Sequence, residues 1–246
     1  MTNHAPITFR QLFTYFRGLP HQLAAIEEME EAFRQPGATY ESVMTRSRSW
    51  FHTWSQDGKQ PEASKPAIPT SLRLNVPYFR QLDSVTDQGR RMCFSSSCAM
   101  LLATIRPGLI HGPNADDQYL ARVRMYGDTT EADAQLRALA SYGVNANFAQ
   151  RADFAAIERS IHRGVPVPVG YLHRGPVSAP AGDGHWAIVI GYDQDALILH
   201  DPLGEADMIT GATIARTGEG VRYSRRNFAK RWMVEGPGTG WAIIVR

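Results

Sequence analysis

Two cysteines in 246 residues are too few for a disulfide framework. Those two, Cys93 and Cys98, share one apolar stretch, and a bridge inside a single helix has unfavourable geometry, so the working state is expected to be reduced. No run approaches the ~18 consecutive apolar residues of a membrane span. The opening MTNHAPITFRQLF lacks a basic region followed by an apolar core. The chain is therefore expected to be made in a cytoplasm, without a signal peptide, and any action outside the membrane needs a separate release step. Charge of one sign is scarce as well: 26 Lys and Arg against 24 Asp and Glu leave a net +2, too mild for nucleic-acid binding. Paired-Cys and H-x-x-x-H signatures are missing, so Asp183, His185, His200 and Asp201 do not read as a metal cluster, and no cofactor is expected. A G-x-S-x-G elbow is missing too, which counts against Ser95, Ser96 or Ser97 as a nucleophile.

What the chain has is a 43% hydrophobic content, enough for one sizeable core plus a small satellite. Residues 1–55 read as a helical module. TFRQ from Thr8 is a capping box, Gly18 and Pro20 stop that helix, and HQLAAIEEMEEAFRQ sets Leu23, Ile26, Met29, Ala32 and Phe33 along one stripe. A third helix is expected over 40–54. Its neighbour SQDGKQPEASKPAIPTS is rich in Pro, Ser and charge, so 56–71 reads as a linker. The module carries Phe9, Phe13, Tyr15, Phe16, Trp50, Phe51 and Trp54. Packing of a small bundle explains most of these aromatics, and contact with a cell-wall polymer is the sharper alternative.

Beyond the linker, a strand is expected at 72–79 and helices at 116–125, 131–142 and 153–163. TTEAD supplies a capping box from Thr130 to Asp133, and Tyr142-Gly143 ends that helix. Strands follow at 165–171, 185–192, 196–201 and 240–245, with a short helix near 224–232. Helices first and an antiparallel sheet afterwards predict an α+β domain over 72–246.

Two segments carry chemistry, QLDSVTDQGRRMCFSSSCAMLL at 81–102 and GHWAIVIGYDQDALILHDP at 184–202. Cys93 opens an apolar helix after a polar loop, where the positive end of the helix dipole and a nearby imidazolium favour the thiolate, the form that attacks. His185 starts a β-rich run and is the natural base. Its other ring nitrogen needs an acceptor, and Asp201 supplies one if ALILHD pairs antiparallel with HWAIVIGY, because a turn near 193–194 puts 201 opposite roughly 185–187. An oxyanion donor is also needed, and both Gln81 and Gln88 are candidates by position. On a helix Cys98 points about 140° away from Cys93 and reads as core. Asp83 caps the loop or pairs with Arg90 or Arg91. Of the remaining histidines, His111, His162 and His173 lack ligand-like spacing, and His200 faces away from Asp201.

The arrangement VPYFRQLD, then Cys93 followed by SSSCAMLL, then GHWAIVIGYD and HDPLGE, resembles the papain-like cysteine peptidases of the bacteriocin-processing, double-glycine-leader type. The resemblance spans roughly 72–246 and includes LRALASYGV, IHRGVPVPVGY and the strand GWAIIV. It implies a papain-like fold with a helical half plus an antiparallel sheet. It also implies Cys93 as nucleophile, His185 as base, Asp201 as the orienting acid and Gln81 as the oxyanion donor. Met92 and Phe94 stand where many members have Gly beside the Cys, and the loop from Gln81 to Cys93 is long, which keeps Gln88 open.

The resemblance further implies a cysteine endopeptidase that cleaves after small residues, often Gly-Gly. Bulky Phe94, Trp186 and Tyr192 are expected to narrow the cleft. The module's F-x-x-F…PHQ-x-A-I pattern resembles helical modules on lytic proteins of bacteriophages, which points to peptidoglycan stem or cross-bridge peptides as substrate and to passage from host cytoplasm to cell wall. Leader-peptide processing, acyl transfer to an amine and a catalytically silent phage structural protein are the alternatives.

Overall fold

The computed structural model describes residues 70–246, so the expected helical module at 1–55 and nearly all of the linker at 56–71 lie outside the described residues. Three helices come first: α1 at Cys93–Ile105, α2 at Ala115–Val123 and α3 at Ala132–Ser141. Strands dominate afterwards: β2 at Ala146–Ala152, β3 at Val167–Tyr171, β4 at His185–Tyr192, β5 at Ala196–His200, β8 at Val221–Ser224 and β9 at Gly240–Val245. Helices α4 (Phe154–His162) and α5 (Arg225–Trp232) interrupt them, β1 is the pair Leu72–Arg73, and β6 (Glu205–Ala206) and β7 (Thr213–Ala215) form a separate hairpin. The result is the expected α+β architecture.

The main sheet is antiparallel with the order β2-β9-β3-β4-β5-β8, and β1 adds to β4. β4 is buried along its full length, and its alternating side chains serve two cores. Trp186, Ile188 and Ile190 face a core shared with α1, α2 and α3, whereas Ala187 and Val189 face one closed by α4 and α5. A bulge between Val189 and Gly191 resets this alternation and turns Tyr192 into the second core. α1 lies between the sheet and its helical neighbours, and all residues from Phe94 to Leu102 are buried. A helix apolar nearly all round is what such enclosure requires. Two of its buried serines are tied inside: Ser95 Oγ meets Thr129 Oγ1 at 2.7 Å, Gln135 Nε2 donates to Ser95, and Ser96 donates to Asp116 at 2.6 Å, whereas Ser97 Oγ has no partner among the described residues. With all three serines at the start of α1 fully buried, none is placed to attack a substrate.

Several expectations need correction. The strand expected over 72–79 pairs only at Leu72 and Arg73, after which Leu74 N–H reaches Ile190 O and the segment leaves β4. Pro77 lacks an N–H to continue the ladder, and the Val76 carbonyl instead accepts from the His200 ring. The capping box from Thr130 to Asp133 does not form. Glu131 is the N-cap of α3 without a side-chain bond, Thr130 donates to Asp128, and Asp133 pairs with Arg137. β2 and β8 were not foreseen. The β2 segment ANFAQRA is rich in Ala and only half-buried, and VRYS is a four-residue alternation too short to stand out.

Candidate active site

Cys93 is the first residue of α1, half-buried, with Met92 as the N-cap and no acidic residue in the first turn to oppose a thiolate there. Across from it, His185 is the first residue of β4 and is buried. Register carries Asp201 to it. Ile188 pairs with His200, so the next pair along would set Asp201 against Ala187. The Asp201 carboxylate lies 2.7 Å from His185 Nε2. With Nε2 so engaged, Nδ1 is the ring nitrogen left for the thiol, and Cys93 acts on the ring both through charge and as a hydrogen-bond partner.

The carboxylate is held on every side. Oδ1 also accepts from Leu203 N–H at 3.0 Å, and Oδ2 accepts from the Tyr171 hydroxyl at 2.6 Å. Tyr78 donates to the Asp201 carbonyl, and the Gly218 carbonyl takes the Asp201 N–H. Burial alone would push Asp201 up, but His185 and these donors outweigh it and hold the carboxyl below its usual range. Burial likewise works against a charged His185, yet Asp201 and then Cys93 raise it to about 10. Tyr171 is pushed well above its usual value by burial and by Asp201, so it remains a donor.

The imidazolium and carboxylate are thus a buried ion pair across the physiological range, with a definite consequence for stability. A raised His contributes fully below its unfolded value and loses that contribution as pH climbs toward about 10. A depressed Asp contributes above its unfolded value and loses the contribution only as pH falls below about 4. The melting temperature of the wild type is therefore expected to fall more steeply between pH 6.5 and about 10 than that of His185→Gln. Parallel pH slopes in thermal melts would refute the pair.

Gln81 opens a 3-10 turn, Gln81–Asp83, and is 1% exposed. Its N–H donates to Pro202 O at 3.0 Å, which ties it to the residue after Asp201, and its Nε2 donates to Gly89 O at 2.8 Å. Gln88 is committed elsewhere, donating to Asp87 and accepting from Arg91 among exposed side chains. Of the two glutamines, Gln81 is the one brought to the segment that bears Asp201. Asp83 pairs with Arg80, not with Arg90 or Arg91, because Arg80 lies one turn before it.

The aromatic residues expected to narrow the cleft do something else. Phe94 and Trp186 stack face to face, 3.6 Å between centroids and 3° between planes, and pack the first core. Tyr192 ends β4 at the far side from His185 and bonds His162 Nε2 at 2.6 Å. The stack is instead a clamp that sets the start of α1 against the start of β4. Cys98 is fully buried in the first core, as its helical position indicates. His200 bonds Val76 O and accepts from Gly220 N–H, a structural role.

Three contributors escaped the sequence reading. Tyr171 was visible only as the residue that ends VPVGY, although the antiparallel register Tyr171↔His185 is what places it. His173, whose spacing matched no ligand pattern, lies with its ring centroid 5.0 Å from that of His185. Arg231 is fully buried, and its guanidinium donates to Met208 O, Leu172 O, Arg174 O and Gly175 O at 2.7–3.1 Å. Its spacing from Phe228 and Trp232, on the buried face of α5, was the available signal.

Chemically, this arrangement offers a thiol at a helix start, an imidazole able to take and return a proton, and a buried carboxylate fixing the imidazole. It is suited to nucleophilic attack on a carbonyl with protonation of the leaving group. Among the described residues, no helix is long and apolar enough to cross a membrane.

Comparison with known proteins places the chain. The model of the Peptidase_C39 like family matches residues 73–236. Among solved structures, a putative C39-like peptidase from Bacillus anthracis is similar at 17% identity and a TM-score of 0.50, covering 72% of this chain and 98% of the other. A double glycine motif protease from an AMS/PCAT transporter, solved with its leader peptide, matches at 18% identity and a TM-score of 0.44, covering 70% of this chain and 92% of the other. The peptidase domain of Streptococcus ComA matches at 18% identity and a TM-score of 0.42, covering 63% and 91%. A search of curated proteins found no match.

Proposed function

Because the chain belongs to the Peptidase_C39 like family and is a cysteine peptidase, we propose that Cys93, His185, Asp201 and Gln81 form its catalytic centre and that it hydrolyses peptide bonds in peptidoglycan stems or cross-bridges. The observation that carries the site is the buried pair of His185 Nε2 and Asp201 Oδ1 at 2.7 Å, with Cys93 acting on the same ring. In this mechanism the Cys93 thiolate attacks the scissile carbonyl, and the Gln81 amide and backbone N–H groups at the start of α1 meet the developing oxyanion. His185 then gives its proton to the leaving amine. Water, deprotonated by the now neutral His185, attacks the thioester, whose collapse releases the acid product and restores the Cys93 thiolate and the His185 imidazolium.

The choice of cell-wall peptides rests on the aromatic-rich 1–55 segment, with its likeness to modules of phage lytic proteins, and on the slight positive charge, which suits an anionic wall. A phage lysin that crosses from the host cytoplasm to the wall fits both. Small residues flanking the scissile bond, Gly-Gly among them, are the expected preference.

The test is product analysis. Purified peptidoglycan from several bacteria and linear Gly-Gly peptides are incubated with the protein, with an iodoacetamide-blocked sample as blank, and new termini are identified by mass spectrometry. Soluble muropeptides with fresh amino termini support the wall reading. Cleavage of the linear peptides with intact peptidoglycan replaces it with a leader- or protein-processing peptidase.

A further inference from the structure

The start of α2 is joined to both parts of the proposed oxyanion site. On one side, buried Asp116 accepts from Ser96 Oγ at 2.6 Å and ties α2 to the first turn of α1, which begins at Cys93. On the other, Asn114 and Asp117 turn to the loop between Gln81 and Cys93. Asp117 takes the Ser84 hydroxyl on one carboxylate oxygen and the Val85 N–H, at 3.0 Å, on the other. Asn114 is the N-cap of α2 yet makes no side-chain cap bond, and its Nδ2 donates instead to Asp83 O at 3.0 Å. Asn and Asp at a helix start ordinarily serve their own helix. Here both are committed to a loop 31 to 33 residues earlier in the chain.

From Ser84 the grip passes to the Gln81 amide. The Ser84 hydrogen goes to Asp117, so Ser84 Oγ accepts from Thr86, from its hydroxyl at 2.8 Å and its N–H at 3.1 Å. Thr86 Oγ1 in turn accepts from Gln88 N–H at 3.2 Å, which sets the residue that follows, Gly89. The Gly89 carbonyl accepts from Gln81 Nε2 at 2.8 Å. Gln81 Oε1 is buried with no partner among the described residues, so this one bond orients the amide and leaves the second Nε2 hydrogen free for an oxyanion. The approach is close, because a Cβ on Gly89 would lie 2.9 Å from the Gln81 carbonyl oxygen. Leu82, Asp83, Val85 and Asp87 are exposed, so hydrogen bonds rather than core packing give the loop its shape. Its far end is held separately, by Arg91 on Asp128.

We propose that Asp117 is a positioning residue for the reaction: by holding Ser84 and Val85 it keeps the Gly89 carbonyl where it orients the Gln81 amide for the developing oxyanion. This inference rests on the oxyanion role proposed for Gln81 and deepens it, because the geometry of that donor then depends on a helix that carries none of the four residues of the proposed centre.

Two reactions of the same thiol separate this role from a structural one. Alkylation of Cys93 by iodoacetamide is a displacement at saturated carbon and forms no oxyanion, whereas hydrolysis of an internally quenched Ala-Gly-Gly-Ala-Lys peptide passes through one. Asp117→Ala is expected to lower kcat on the peptide about 10-fold while KM and the alkylation rate change less than about 2-fold. Ser84→Ala, which opens the same contact from the loop, acts in the same direction, and Asp117→Asn, which keeps one carbonyl acceptor, recovers part of the loss. Gln81→Ala is expected to cost about 100-fold in kcat, and adding Asp117→Ala to it less than about a further 2-fold. No loss in kcat, an equal loss in hydrolysis and alkylation, or a loss that adds in full to that of Gln81→Ala overturns the inference alone. Full activity of Gln81→Ala overturns the oxyanion role of Gln81, and the inference with it. Inertness of the wild type towards the peptide overturns the small-residue reading of the site, and the inference with it.

Discussion

Replacing Cys93 with alanine is expected to lower peptide hydrolysis by about 10⁴-fold or more, because a nucleophile cannot be replaced in part by its neighbours. The loss should be in turnover, with the fold intact. Cys93 is half-buried at the start of α1 and packs against the edge of the first core, so losing one sulfur atom there removes little buried contact. A second readout needs no substrate. Iodoacetamide at neutral pH is expected to modify one thiol per chain, at Cys93. Cys98 is 0% exposed and its thiol is pushed far up by burial, so it should stay unmodified until the protein unfolds. Peptide mapping after brief alkylation checks this, and Cys98→Ala is the matching control, with full labelling and retained turnover. A Cys93→Ala protein that still hydrolyses, or a wild type whose Cys93 alkylates no faster than a free thiol in an unfolded chain, would remove Cys93 from the mechanism.

The largest structural effect is expected at Arg231. Its side chain is wholly buried and meets four carbonyls, those of Leu172, Arg174, Gly175 and Met208. Arg231→Met fills much of the volume but removes every guanidinium donor, so the carbonyls of Leu172, Gly175 and Met208 lose this partner while that of Arg174 keeps the Ala181 N–H. The expected loss is about 3–5 kcal/mol, since each unsatisfied buried polar group costs roughly 1–3 kcal/mol and the removal of a buried charge recovers some of the total. Urea unfolding measures it directly. A loss below about 1 kcal/mol would mean that water or a shifted loop satisfies these carbonyls as well as the guanidinium does. Folded Arg231→Met protein should also show reduced kcat/KM on peptides, because the guanidinium holds the Leu172 carbonyl next to Tyr171, which donates to Asp201.

How much of this was readable from the chain depends on which physical signal each part left behind. His185 and Asp201 were legible because a two-stranded antiparallel ladder has simple arithmetic, and the one-residue shift at the bulge between Val189 and Gly191 still leaves Asp201 next to Ala187, within the expected range. α1 was legible because Ala99, Met100, Leu101 and Leu102 make a continuous apolar run that only an enclosed helix can use. The partners of Asp201 were not. Tyr171 and Tyr78 reach it from residues 30 and 123 positions away in the chain, and nothing local marks an aromatic residue as a hydrogen-bond donor rather than core filling. The cleft aromatics were misread for a related reason. Bulk next to a site residue reads as a steric wall, yet a planar pair such as Phe94 and Trp186 gains more by stacking face to face across two layers. Local pattern specifies elements and their order, and cross-layer contacts appear only once the sheet is assembled.

The place of β9 has a further consequence. It is the last described strand in chain order, yet it lies inside the sheet, between β2 and β3. A growing chain that has passed Asp201 already contains Cys93, His185 and Asp201, but β3 still has one open edge and its Tyr171 lacks a settled mount. Trp232, too, waits for β9, because its indole N–H donates to the Trp241 carbonyl. Contacts that join distant parts of the chain form late. The sheet that carries His185 and Tyr171 is thus closed only by the last described strand to be synthesised.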